Sequence, residues 1–364
     1  MPAPFFRIEM LPARHGDCLW VEYGEGDDTH RLLIDGGPVS TFDYIKKRLD
    51  RVPMGERAFE LIVLSHVDAD HVEGLVRLFA EQPLPFAVDR VWFNGWRQMK
   101  KSHGLLGALQ GEFLSALLAR RVPRAWKPDA PPWVVLKDGK LPATTLPGGL
   151  KLTLVSPTPS KLQQMAKAWE KAMDKAGIEP GDLDAAWQKL AQTKKFIPKQ
   201  GLLGAAPNLD ALLKAQFVRD QAAPNGSSIA FLAEYAGKSA LFLADAHPDA
   251  VAASLKRLCK ERRAKRLKVD AVKVSHHGSK NNTNDELLSL VESPRWLIST
   301  NGDQFKHPDK PCIARILKLA KPDALYFNYR SEYTKPWIAA AAQKKFGYRA
   351  IVRPESATAL EVPL

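Results

Sequence analysis

Residues 61–75 read LIVLSHVDADHVEGL, and no other stretch limits the possible folds of this chain as sharply. Leu61 to Leu64 are apolar throughout, the pattern of a short strand buried on both faces. Ser65 follows, and then His66, Asp68, Asp70 and His71 in close succession. Val72, Leu75, Val76 and Phe79 recur at helical spacing immediately afterwards. Imidazoles and carboxylates crowded into a strand-to-helix turn are costly to bury unless something neutralises and orders them. A divalent cation does both. The plainer alternative is a solvated loop whose Asp caps the helix.

The cluster resembles the HxHxDH signature of the metallo-β-lactamase superfamily, with Asp68 in place of the middle His. The HxDxDH form is most similar to the metallo-hydrolase domain of the ComEC DNA-uptake family and its soluble relatives. Other segments match in the same order. Arg31 to Gly37 (RLLIDGG) resembles a strand ending in Asp-Gly-Gly, and Leu241 to Asp245 (LFLAD) one ending in a bridging Asp. Val272 to Ser279 (VKVSHHGS) resembles the HHGS motif, and His15-Gly16-Asp17-Cys18 stands where the relatives carry a Gly-x-Gly-Asp turn. The set spans residues 7–310.

The resemblance implies an α/β (α+β) chain folded as a four-layer αββα sandwich, with divalent metal ions, Zn²⁺ or Mn²⁺, along one edge. His66 and Asp68 would hold the first ion, Asp70 and His71 the second, and Asp245 would bridge them. His276 or His277 would complete the second set. His276 is preferred because it directly follows its strand, which leaves His277 as a proton donor or an outer group. Asp70, His277 and Asp35 are the candidate catalytic groups. Asp35 would orient a metal ligand, or simply order the Gly36-Gly37 turn. The superfamily's further His is missing: Asn225 to Phe231 (NGSSIAF) contains none, and His103 is the only His between residues 72 and 246. Asn225 is a candidate substitute or outer residue. An oxygen-rich first site would favour Mn²⁺. Ser279 and Lys280 are candidate phosphate contacts, and Asn301 and His307 candidate substrate contacts; His307 reads equally as a surface-loop residue.

The 364 residues are ample for one large or two ordinary domains. Strands and helices are legible over residues 1–156 and 225–364, the two halves of the sandwich. Residues 157–224 show no strand. Leu162, Met165, Ala166, Trp169 and Met173 fall at helical spacing, residues 182–190 and 209–217 suggest two more helices, and Pro180-Gly181 and 198–204 suggest turns. This is expected to be a helical insertion with Trp169 and Trp187 in its core. It either overhangs the metal edge as a lid, hinged at residues 220–225 and open to a regulatory protein or a protease, or passively covers sheet surface.

Charge bears on partners. The net charge is +13, and residues 255–268 (LKRLCKERRAKRLK) hold eight basic residues against one acid. That balance favours a nucleic acid partner, although the run also reads as a solvated helix face. No apolar run reaches the roughly 18 residues that a membrane span needs, so no membrane partner is expected. The three cysteines lack metal or disulfide spacing, and a reducing cytoplasm is the expected location. Together these features suggest a metal-dependent nuclease or other phosphodiesterase. A hydrolase of a small phosphodiester, ester or lactone, and a degenerate nucleic-acid- or protein-binding scaffold, are the alternatives.

Overall fold

A computed structural model of the chain describes residues 2–99, 108–127, 134–192 and 217–364. His103, the 198–204 turn and all but the last residue of the 209–217 helix lie outside them. Two large sheets organise the molecule. The six-stranded sheet runs Leu360–Pro363, Pro4–Met10, Leu19–Glu25, Asp28–Ile34, Leu61–Val63 and Val91–Trp92. The eight-stranded sheet runs Arg349–Val352, Ala324–Phe327, Arg295–Ile298, Ala271–Lys273, Lys238–Phe242, Ala230–Tyr235, Lys151–Ser156 and Ala143–Thr145.

Side-chain alternation decides how the sheets stack. Phe6, Ile8 and Met10 point one way with Val21, Leu32 and Val63, and share a core with Leu152, Phe231, Phe242 and Leu297 of the other sheet. Trp20, Leu33, Ile62 and Leu64 point the other way, into a layer built on helices Phe42–Leu49 and Ala69–Phe79. Both faces of the inner strands are therefore dry, which is why Leu61 to Leu64 carry no polar residue. Val251, Leu255 and Leu258 of helix Pro248–Glu261 cover the outer face of the eight-stranded sheet together with Leu287, Leu288 and Ile313. The result is the four-layer αββα sandwich expected from the sequence.

Helices Pro159–Ala176 and Leu183–Gln192 belong to the segment read as an insertion. Trp169 and Met165 are buried in the helical layer of the six-stranded sheet. Trp169 Nε1 donates to Glu112 Oε1 at 2.9 Å. Trp187 is only half-buried and lies under Arg120. Residues 220–225, expected to be a hinge, are pinned: Asp220 accepts from Ala222 N at 2.9 Å and from Asn225 Nδ2 at 2.7 Å. No described helix is long and apolar enough to cross a membrane.

One charged network on the six-stranded sheet makes a test of the fold. Glu22, with 2% of its side chain exposed, accepts from Arg48 at 2.8 Å, Arg31 at 3.1 Å and Trp20 Nε1 at 3.0 Å, and pairs with Arg7. Burial opposes its charge, but Arg48 and the hydrogen bonds of Trp20 and Arg7 outweigh it and bring the group down to about 2, from an ordinary 4.5. A carboxyl depressed in the folded state contributes stability that is complete above its ordinary value and is lost as pH falls from 4.5 towards 2. Glu22→Gln is expected to lower the unfolding free energy by about 1–3 kcal/mol at neutral pH. Denaturant titrations at neutral pH and near pH 3 would show the gap between variant and parent narrowing in acid.

Candidate metal centre

The parallel strands of both sheets end at one edge of the sandwich. Ile34 leads into Asp35, Val63 into Ser65 and His66, Phe242 into Asp245, and Lys273 into His276 and His277. Loop backbone stitches this edge together: Ile229 N donates to Ser65 O at 2.9 Å, and Asn301 N to Arg14 O at 2.7 Å. Several non-glycine residues here take left-handed backbone angles, with φ of 59° at Asp35, 46° at Ala244, 46° at His276 and 54° at His277. Such angles are costly and persist where the surroundings overdetermine them, which is common at functional sites. Gly16 allows the closest approach: a Cβ there would sit 1.8 Å from the carbonyl oxygen of Asp70.

Hydrogen-bond partners fix the imidazoles. His71 Nδ1 lies 2.8 Å from Asp35 Oδ2, and His277 Nδ1 lies 3.0 Å from the carbonyl oxygen of Ser299. Both partners accept, so both Nδ1 atoms donate, and in the neutral rings both Nε2 atoms carry a free lone pair. His276 Nδ1 donates in the same way to Asn282 Oδ1 at 2.9 Å. His66 Nδ1 lies 3.1 Å from Ser65 Oγ, whose own proton goes to Asp35 Oδ2 at 2.7 Å. Each Nε2 therefore faces inward, towards Asp245. The distances to its carboxylate oxygens are 3.5 Å for His71, 3.6 Å for His276 and His277, and 3.9 Å for His66. Asp70 Oδ2 is 3.5 Å from His277 Nε2, and Asp68 Oδ2 is 3.7 Å from His66 Nε2.

This arrangement calls for a cation. The Nε2 lone pairs of His71 and His277 oppose each other at 3.2 Å. His66 Nε2 and Asp245 Oδ1 are buried with no hydrogen bond among the described residues. Burial disfavours a charged His277, yet the carboxylates of Asp245 and Asp17 outweigh it and push the group up to about 10. His71 rises well above the ordinary value on the same balance, against Asp245 and Asp35. Asp68, by contrast, is pushed up to about 7 by burial and by the charges of Asp70 and Asp245. Protons on both facing Nε2 atoms would collide, whereas one shared cation satisfies both. Its binding would release protons and favour the carboxylate form of Asp68. The donor set of imidazole nitrogens and carboxylate oxygens suits a divalent transition metal.

His277, and not the preferred His276, is the histidine that the structure brings beside His71 and Asp70. The left-handed turn at the two histidines directs His277 Nε2 to His71 and Asp70, while His276 Nε2 meets Asp245 Oδ2, the oxygen that His66 Nε2 also faces. Asp35 stands behind the ligands, on His71 and Ser65. Asn225 Nδ2 donates to Asp220 Oδ2 and lies 3.3 Å from His276 Nδ1, and its Oδ1 is buried with no hydrogen bond among the described residues. Ser279, proposed as a phosphate contact, is buried and its hydroxyl accepts from Asn281 N at 3.2 Å. Asn301 is tied up with Asp303 at 2.6 Å. Lys280 is half-buried, its backbone N–H donating to Asp309 Oδ2 at 2.8 Å. The ring of His307 sits 5.4 Å from that of His276.

Two outer carboxylates carry roles that the sequence did not assign. Asp17 Oδ1 lies 3.3 Å from His277 Nδ1, and its other oxygen accepts from Lys273 Nζ at 2.5 Å. Asp17, His71, Asp245 and His277 offer ligand atoms that all lie within 4.8 Å of one another. We place Asp17 behind His277 rather than on an ion, because it faces Nδ1 and is already neutralised by Lys273. Asp220 Oδ2 takes the corresponding place behind His276, 3.3 Å from its Nδ1. A lysine inside an apolar strand was the available signal for the first of these.

No protein-family model and no curated protein matches the chain. Solved structures do resemble it. The metallo-β-lactamase fold protein YhfI from Bacillus subtilis is 11% identical, with a TM-score of 0.41 over 99% of this chain and 100% of that one. A diphosphatase of the PhnP family is 13% identical, with a TM-score of 0.39 over 100% of this chain and 99% of that one. A mutant of the CmlA β-hydroxylase is 13% identical, with a TM-score of 0.38; the whole of this chain spans 54% of its length.

Proposed function

We propose that this chain is a metal-dependent hydrolase of phosphodiester bonds that acts on nucleic acid. The observation that carries the hydrolase reading is the convergence of inward Nε2 atoms on one buried carboxylate, each imidazole held from behind through Nδ1. Bound divalent ions would supply Lewis acidity and a water acidified towards neutrality, which suits in-line displacement at phosphorus. The chain's own residues do the rest. Asp35, Asp17 and the Ser299 carbonyl fix tautomers and ring orientation. His276 supplies the nitrogen that the first set lacks, which brings Zn²⁺ back level with Mn²⁺.

The net charge of +13 supports a polyanionic substrate. The basic run at 255–268 lies at the end of helix Pro248–Glu261 remote from Asp245, and part of it is paired: Lys256 with Glu286 at 2.5 Å, Arg262 with Glu234 at 2.9 Å and Lys268 with Glu292 at 3.4 Å. Its remaining cations would meet only a long polymer. Arg14, Lys280 and Lys306 sit on the loops that bear His15, His277 and His307.

The test is one set of assays with plasmid DNA, single-stranded DNA, RNA and bis-p-nitrophenyl phosphate, each with Mn²⁺, Zn²⁺ or EDTA. Diester cleavage that needs the ion is expected, with polymer cleavage falling steeply between low and physiological salt as counterion release requires. Turnover of a small ester or lactone without diester cleavage would replace this reading with the small-molecule one. Metal binding with no turnover at all would make the chain a binding scaffold.

A further inference from the structure

We propose that Phe305, framed by His15, His307 and His276, is a stacking platform for the nucleobase next to the scissile phosphate. This inference rests on the phosphodiesterase reading and specifies how that site recognises its substrate. Only Met54, Val218 and Phe305 are large apolar side chains left exposed among the described residues, and Phe305 alone of these borders the candidate centre. It is 43% exposed. Its ring is stacked with that of His307, with centroids 6.1 Å apart and planes at 28°. The rings of His15 and His276 meet it edge-on at 5.9 Å and 6.5 Å. A lone exposed apolar residue needs no explanation, but one ringed by imidazoles beside a metal centre is a π-surface placed for use.

The loop that presents Phe305 is held firmly. Asn301 N donates to Arg14 O at 2.7 Å, Lys306 N to Gly302 O at 2.9 Å, and Asp309 N to Gly278 O at 2.9 Å. Asp303 Oδ2 accepts from Arg14 Nη2 at 2.9 Å. Gly302 has a φ of 82°, and a Cβ there would lie 2.1 Å from the ring of Tyr333. A platform fixed in this way loses little freedom on binding. In a nucleotide the base is one sugar away from its phosphate, and Phe305 is one ring, that of His276, away from Asp245. Lys306, exposed and next to Phe305 in the chain, adds positive charge suited to a neighbouring phosphate. Every base has a π-face, so the site would take single-stranded nucleic acid or nucleotides with little sequence preference.

Fluorescence titration with a short single-stranded oligonucleotide carrying 2-aminopurine tests this, using the full chain with Phe305→Ala, Phe305→Leu and Phe305→Trp. Quenching on binding to the parent is expected. Phe305→Ala and Phe305→Leu should both lose the quench and bind about tenfold more weakly, the size of one base–aromatic stack. Phe305→Trp should keep both, and all variants should hold the parent's metal content and melting temperature. An oligonucleotide with an abasic site opposite Phe305 should bind parent and Phe305→Ala alike. Parent-like affinity and quench in Phe305→Leu would overturn stacking alone. A parent that neither binds nor cleaves any nucleic acid would overturn the substrate reading, and this inference with it.

Discussion

Asp245→Ala is expected to leave a folded chain that holds no divalent metal and cleaves no diester. Asp245 is buried, and the Nε2 atoms of His66, His71, His276 and His277 lie 3.5 to 3.9 Å from its oxygens. Among the described residues no other carboxylate faces all of these rings. Burial works against the carboxylate, but the charges of His277, His276 and His71 around it hold the pKa of this carboxyl well below the ordinary range. Loss of one outer partner of a ligand costs about 10–100-fold in metal affinity, and loss of the shared ligand should exceed that. Activity should fall by more than about a thousandfold, since several kcal/mol of charge stabilisation leave with the ions. His277→Ala should be nearly as severe, whereas His276→Ala should weaken one ion more than the other. Elemental analysis after reconstitution with Zn²⁺ or Mn²⁺, beside a thermal melt, measures all three. Full metal occupancy in Asp245→Ala would remove the basis of the proposed centre.

The parts of this site that were legible in the sequence are those set by covalent spacing. His66, Asp68, Asp70 and His71 share one turn because Leu61–Val63 ends just before them and Ala69–Phe79 begins among them. Asp245 was legible as a carboxylate closing an apolar strand. The assignment between His276 and His277 was not, because strand alternation says nothing about a turn whose φ angles are 46° and 54°. Nor was the role of Asp17, whose partner Lys273 is 256 positions away. The basic run looked adjacent to Asp245 in sequence, but a 14-residue helix carries its end away by about 1.5 Å per residue. The edge strand Leu360–Pro363 is not legible, because four residues hold too little of a period to read. Its place in the sheet comes from pairing with Arg7 to Met10.

Asp17→Ala is expected to destabilise the fold by about 3–5 kcal/mol, the cost of leaving one charge of a buried pair uncompensated. Lys273 and Asp17 have 1% and 2% of their side chains exposed and meet at 2.5 Å. Among the described residues the ammonium's only other hydrogen-bond partner is the carbonyl oxygen of Val274, at 3.0 Å. Burial works against the Asp17 carboxylate, but the charges of Lys273 and His277 hold it well below the usual range. Adding Lys273→Met to Asp17→Ala removes the stranded charge and leaves apolar volume, so most of the lost stability should return. Metal affinity should not return with it. His277 keeps the Ser299 carbonyl at 3.0 Å but loses the carboxylate behind its Nδ1, which should weaken metal binding by about 10–100-fold in both variants. Denaturant titration and metal competition against a chelator read the two effects separately. A double variant that binds metal as tightly as the parent would reduce Asp17 to a structural ion pair. An Asp17→Ala variant as stable as the parent would show that the pair contributes nothing to the fold. If stability recovers while metal affinity stays low, one carboxylate both balances a buried lysine and aims a histidine at the ions.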